Sequence, residues 1–447
     1  MHRYIPNTEA DKRTMMKTLG IESVEALFCD IPQELQLKRG MNLPEALSEL
    51  ELSRHMQTLA GKNQGTDQVV SFLGAGAYDH YIPAIVKHLA MRSEFYTAYT
   101  PYQPEISQGT LQVIFEYQTM MSQLTGMDVA NASMYDGGTA CVEAAMMAVE
   151  NARKSTIAVS ETVHPEIRKI LATYLKLRDV ALIEIPMKNG VTDPEAMREL
   201  VGKETAGVII QSPNFFGIIE DVTEAEALIH QGKGSLIMVV DPISLGILKS
   251  PGELGADIAV GDAQAFGNGL NFGGPHLGFL AAKSKLVRKM PGRIVGQSLD
   301  VDGKRAFVLT LQAREQHIRR YKATSNICSN QGLNALMAAI YLTTMGKEGL
   351  REVALQSTQK AHYAMEQLTK DGSYRLMFDQ PFFKEFAVTA DHDLAQVNET
   401  LLNHGIIGGY PIQQGDARWE KGLLLAVTEK RTREEIDHLV KIMGVKG

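Results

Sequence analysis

The sequence predicts an α/β protein with a mostly parallel sheet in a large domain, a helical arm before it and a small α+β domain after it. Two observations carry this. Between about residues 155 and 241, short apolar runs alternate with stretches of helical periodicity. That repeated order needs a parallel sheet covered by helices on both faces. After about residue 350 the pattern changes to helix, strand, helix, strand, helix, as expected of a separate small domain.

Residues 1–65 read as short helices joined by turns. The segment "TEADKRTMMKTL" stops at Gly20, and "LPEALSELELSRHMQTLAGKN" is expected to start with Pro44 near its first turn and to end at Gly61. This arm is too small to hold a core alone. The next segment, to about 105, carries four tyrosines between Tyr78 and Tyr99, plus Tyr102, and is expected to cover something. Strand and helix then pair as "STIAVS" with "EIRKILATYLKL", "VALIEIP" with "DPEAMRELVG", and "AGVIIQSP" with "VTEAEALIHQG", followed by the strand "SLIMVVD". "LGFLAA" reads as a further strand, and helical signals return over "SNQGLNALMAAIYLTTMG". The large domain is therefore placed at 66–345. In 346–447 the strands are "FAVT" and "GLLLAVTE", and "TREEIDHLVKIM" is the last helix.

With 447 residues and 44% hydrophobic content, the chain can bury a sizeable core. A formal net charge of -7 and a pI near 6.0 argue against nucleic acid and anionic membranes as partners, since both need clustered positive charge. Cys29, Cys141 and Cys328 are odd in number and far apart, so neither a disulfide framework nor a metal site is expected. Cys141 and Cys328 read as small buried residues. The first twenty residues mix both charge signs, and no apolar run approaches the ~18 residues that span a bilayer. A cytoplasmic protein is expected.

Three places carry candidate chemistry. Gly137, Gly138 and Thr139 precede an alanine-rich helix, whose free N–H groups and dipole suit a phosphate. The alternative is an ordinary glycine turn capped by Thr139. His164 stands at a turn between a strand and its helix, where an imidazole can stack on a flat ring or can cap the helix. Asp241 follows an apolar strand, where its carboxylate can hold a protonated ring nitrogen or start an Asp-Pro turn. Together they follow the chain order of a fold-type I pyridoxal-phosphate enzyme. Such an enzyme has its Schiff-base lysine shortly after the aspartate. Here that segment, "GDAQAFGNGLNFGGPHLGF", holds none.

The stretches "TAYTPYQPEISQGTLQ" and "REQHIRRYKATSNICSNQ" resemble glycine decarboxylase, the P-protein family of the glycine cleavage system. The resemblance runs from the arm to "AVTEKRT" and favours the α-type half of the two-subunit bacterial form over the fused form. Aligning "GADIAVGDAQAF" with the family's lysine segment puts Ala265 at the lysine and Gln264 at the histidine before it. The resemblance thus implies that pyridoxal phosphate is bound covalently on a homologous lysine-bearing subunit, in an α2β2 assembly. It also implies glycine as substrate and the lipoyl arm of H-protein as acceptor. Gly138, Thr139, His164 and Asp241 are then vestigial or weak cofactor contacts. Tyr96, Tyr99, Tyr102, Gln103, Arg314, Lys322, Thr324 and Ser325 are candidates for the partner's site or the interface. Arg314, Arg319, Arg320 and Lys322 could instead form a solvated helix face or attract acidic H-protein. Two other roles stay open: an autonomous enzyme using Lys249, Lys283 or Lys285, and a scaffold or regulatory chain without activity.

Overall fold

The computed structural model describes residues 4–326, 331–391, 393–412 and 421–444. The chain falls into two units, Met1–Gln64 and Gly65–Gly447.

In the first unit, helix α1 (Glu9–Leu19) starts in a capping box between Thr8 and Asp11 and ends at Gly20, whose φ of 69° only glycine adopts readily. Helix α2 (Glu49–Ala60) starts later than Pro44 suggests. Ser48 accepts the Glu51 N–H and the Glu51 carboxylate returns the bond; this reciprocal cap places the first turn. No described side chain of this unit is buried; Leu35, Met41 and Leu43 are 74, 71 and 66% exposed.

In the second unit, seven strands among the described residues form the main sheet: β1 (Val129–Ala130), β2 (Thr156–Ser160), β3 (Ala181–Ile185), β4 (Thr205–Gln211), β5 (Ser235–Val239), β6 (Ile258–Asp262) and β7 (Gly278–Ala282). Their order is β1-β7-β6-β5-β4-β2-β3, with β2 to β6 parallel and β7 antiparallel to both its neighbours. Helix α3 (Gln108–Thr125) leads into β1, and helices α4 (Gly137–Ala152), α5 (Pro165–Lys176), α6 (Pro194–Leu200) and α7 (Thr223–Gln231) connect the strands from β1 to β5. The strands read as unbroken apolar runs because both faces are buried. Val208, Ile210 and Met238 enter one core, while Ile209 and Ile237 enter the other beside Ala140, Ala144 and Ala148 of α4. Alanine at every fourth position lets α4 lie close to the sheet.

Helix α8 (Gly332–Thr369) is broken at Gly346, where φ is 59°. Beyond it lies an antiparallel sheet of β8 (Tyr374–Leu376), β9 (Glu385–Ala390), β10 (Tyr410–Pro411) and β11 (Gly422–Ala426), in the order β8-β9-β11-β10. Helices α9 (Leu394–Asn403) and α10 (Arg433–Ile442) add Leu401, Ile436 and Leu439 to its core. The hairpin Ile294–Leu299/Arg305–Thr310 is absent from the sequence reading, although Asp302-Gly303 is the kind of turn that marks one. No helix among the described residues is long and apolar enough to cross a membrane.

Candidate active site

The carboxyl ends of β4, β5 and β6 and the start of α4 enclose a cleft of about 400 Å³. Ala75 to Tyr78 cover it, and Asp136, His164, Asp241, Asp262, Ala265 and His276 are among its walls. This is the sheet edge where ligands of open α/β folds bind. Gly137 lets α4 begin hard against β6, since a Cβ there would lie 3.0 Å from the Asp262 nitrogen.

The helix start differs from the expected glycine turn capped by Thr139. Asp136 is the cap. Its Oδ1 accepts the Thr139 N–H at 2.8 Å and the Thr139 hydroxyl at 3.1 Å, while Asp262 Oδ2 accepts the Gly137 N–H at 3.4 Å. Two carboxylates therefore take donors that a phosphate would need. His276 Nδ1 lies 3.3 Å from Asp262 Oδ2, and that hydrogen bond raises the imidazole pKa.

His164 lines the cleft and also caps α5. Its Nδ1 accepts the Glu166 N–H at 3.1 Å, so the proton is on Nε2, which donates to the Ala75 carbonyl at 2.9 Å. Burial lowers its pKa, so the ring is neutral, and it meets Phe215 edge-on at 5.0 Å.

Asp241 is engaged by a residue that sequence reasoning missed. Lys384, 1% exposed, places Nζ 2.6 Å from Asp241 Oδ2, 2.8 Å from His80 Nε2 and 3.6 Å above the Tyr78 ring. His80 donates through Nδ1 to Glu429 at 2.6 Å. Next to Lys384, Glu385 accepts the Tyr78 hydroxyl at 2.7 Å and the Ala75 N–H at 2.6 Å. Burial pushes Glu385 up to about 7. Burial also acts to raise Glu429, but the hydrogen bonds it accepts from His80 and from the Tyr81 N–H outweigh it and hold that carboxyl at about 2.

These two carboxyls give opposite pH signs. Glu385 is raised from 4.5, so its stabilising contribution is complete below pH 4.5 and is lost as pH rises through about 7. Glu429 is lowered from 4.5, so its contribution holds above that pH and fades as pH falls towards 2. Glu385→Gln is expected to remove a fall of about 3 kcal/mol between pH 4.5 and 7. Urea unfolding at pH 5 and pH 7.5 measures it, and an unchanged pH dependence would show that the carboxyl is not raised.

A second cavity, of about 270 Å³, gathers several predicted residues: Tyr102, Arg314, Thr324 and Ser325 line it together with Arg293 and His317. Arg293 donates to the Tyr102 hydroxyl at 3.0 Å, and the rings of Tyr102 and His317 are 5.4 Å apart. Ser325 donates to Glu143 at 2.6 Å. Arg314 is not an outward bridge. Its guanidinium turns inward to the carbonyls of Met290 and Gly292, because a half-buried guanidinium needs acceptors for its N–H groups. Nor is "REQHIRR" one continuous helix face, since a single α-helical turn, Gln316–Arg319, lies between the short 3-10 turns Gln312–Arg314 and Arg320–Lys322, and Arg319 donates to the Ala313 carbonyl. Lys322 lies over the ring of Tyr321. Tyr96 and Tyr99, 58 and 85% exposed, line a separate apolar groove of about 220 Å³. Gln103 lines none of the three.

Among the described residues no lysine lines the cleft. Lys283 and Lys285 pair with the buried Asp257, which precedes β6, about 16 Å from its other end for five residues of strand. Lys249 is exposed. Cys141 is inert, its thiol pushed by burial up to about 12; Cys328 lies outside the described residues.

The profile of the glycine cleavage system P-protein matches residues 2–443. The chain belongs to the P-protein family of the glycine cleavage system. A protein of Carboxydothermus hydrogenoformans named as a probable glycine dehydrogenase (decarboxylating) subunit 1 is 57% identical over 442 residues, 99% of each chain. A crystal structure of glycine decarboxylase (P-protein) in inhibitor-bound form superposes with a TM-score of 0.92 at 44% identity, covering 99% of both chains. A sphingosine-1-phosphate lyase of Burkholderia pseudomallei shares the fold at 15% identity, with a TM-score of 0.67 over 93% of this chain and 94% of the other. The P-protein fold seen here is thus that of fold-type I pyridoxal-phosphate enzymes. Tested against that cofactor, this cleft does not fit. A phosphate would meet Asp136 and Asp262, Lys384 already neutralises Asp241, and Ala265 offers no amine.

Proposed function

We propose that this chain is the subunit of a two-subunit glycine decarboxylase that lacks the Schiff-base lysine. The observation that carries this is Ala265 in a cleft lined by no lysine. The homologous partner supplies the Schiff-base lysine and pyridoxal phosphate in an α2β2 enzyme of the cytoplasm. The assembled enzyme releases the glycine carboxylate as carbon dioxide and passes the aminomethyl group to the oxidised lipoyl arm of H-protein. Pyridoxal phosphate supplies the electron sink on the partner.

This chain contributes walls that hold water away from the reacting carbon. Tyr102, Arg293, Thr324 and Ser325 around one cavity support a surface built to complete a site in another chain. The exposed Tyr96 and Tyr99, with the unburied arm of residues 4–64, support a large interface, since aromatic residues favour such positions. The test is glycine–bicarbonate carboxyl exchange with H-protein and pyridoxal phosphate, on this chain alone and mixed with the partner. Exchange only in the mixture is expected; exchange by the chain alone would sink the proposal, and none in the mixture would favour a scaffold. Changing Tyr96, Tyr99 and Tyr102 together to Phe should alter the rate or glycine affinity of the mixture.

A further inference from the structure

We infer that the cleft of this chain supplies from its own side chains the two charges that pyridoxal phosphate would bring, so that Lys384 and Asp136 hold the cofactor out even if the missing amine is restored. This rests on the function proposed above and extends it from one absent residue to a closed electrostatic site.

The first substitute is the Lys384 ammonium. It reaches Asp241 from the residue before β9 and makes the ion pair that a protonated ring nitrogen would otherwise make. Its other contacts, His80 Nε2 and the Tyr78 ring, fix it in place. Two cations cannot share one carboxylate in a buried site without strong repulsion. The second substitute is the Asp136 carboxylate, which occupies the positive end of α4 and accepts the Thr139 N–H. Asp262, on the Gly137 N–H, adds a second negative charge there.

The exclusion is one of charge and not of volume. About 400 Å³ stays open between these groups, within the range of small-molecule sites. Lys384 is also no hidden nucleophile. Its Nζ is engaged by Asp241, His80 and the Tyr78 ring, and it is not among the residues that line the cleft, so it is not presented to an aldehyde there.

The test compares Ala265→Lys alone with the triple variant Ala265→Lys, Asp136→Ser, Lys384→Met. Serine keeps an N-cap without the charge. Each chain is titrated with pyridoxal phosphate, followed by the visible absorbance of an imine, formed as the amine adds to the aldehyde and water leaves. Borohydride reduction and peptide mass spectrometry then locate the adduct. The single variant is expected to form little adduct at position 265, and the triple variant to bind at least about a hundredfold more tightly. Equal capture by both, or none by a folded triple variant, would overturn the inference. If Lys384→Met prevents folding, Lys384→Gln replaces it, keeping a donor for Asp241 without the charge. An adduct on the unaltered chain would instead overturn the proposed function itself, so the two failures are distinct.

Discussion

Replacing Arg293 by alanine is expected to lower the exchange rate of the assembled enzyme by about a hundredfold, with little change in subunit association. Arg293 stands beside Arg314 and His317 in the cavity that also holds Tyr102, Thr324 and Ser325. Their roles differ. Arg314 is engaged by the Met290 and Gly292 carbonyls and therefore fixes the turn on which Arg293 is carried. The Arg293 guanidinium lies over the Tyr102 ring and donates to its hydroxyl, and this orients the tyrosine-rich segment. A pocket whose two guanidiniums and three hydroxyls outnumber its one carboxylate, Glu315, suits a carboxylate or phosphate presented by the proposed partner, where charge-assisted bonds are strong and planar geometry matters. Arg293→Lys should recover only part of the rate, because it keeps the charge without the fork. Exchange kinetics at saturating partner, beside sedimentation of the mixture, separate these effects. A full rate in the alanine variant would remove this cavity from the reaction.

The sequence shows the central strands clearly because their burial on both faces leaves unbroken apolar runs such as the one ending at Gln211. It shows β10 poorly, since two residues, one of them proline, carry little pattern. The positions of His164, Asp241 and Ala265 in one cleft follow from chain order, since strand ends of a parallel sheet share an edge. Asp136 was readable too, as an aspartate three residues before Thr139 at a helix start. Lys384, His80 and Glu429 were not. Each is an ordinary polar residue in its own segment, and only the packing of the 75–81 loop against β9 and the turn after β11 brings them to Asp241. The inward turn of Arg314 was hidden for the same reason: its acceptors are backbone carbonyls, which no side-chain pattern reports.

The ion pair between Asp241 and Lys384 makes a second large effect testable. Asp241→Ala is expected to destabilise the chain by about 3 to 5 kcal/mol, and Lys384→Met by a similar amount, because each leaves a largely buried charge without its partner. Lys384 is 2% and Asp241 14% exposed in the side chain, so water offers little compensation. The double change Asp241→Ala with Lys384→Met should cost far less than the sum of the two, since neither charge then remains. Part of the lysine's own cost comes from His80, which loses the donor to Nε2 while still bonded to Glu429. That remnant should persist in the double variant and can be removed by His80→Phe in the same background. Urea unfolding at pH 7 measures all of these. If the double variant loses the full sum, Asp241 and Lys384 act independently, and the packing of the 75–81 loop is what holds β9 against the cleft.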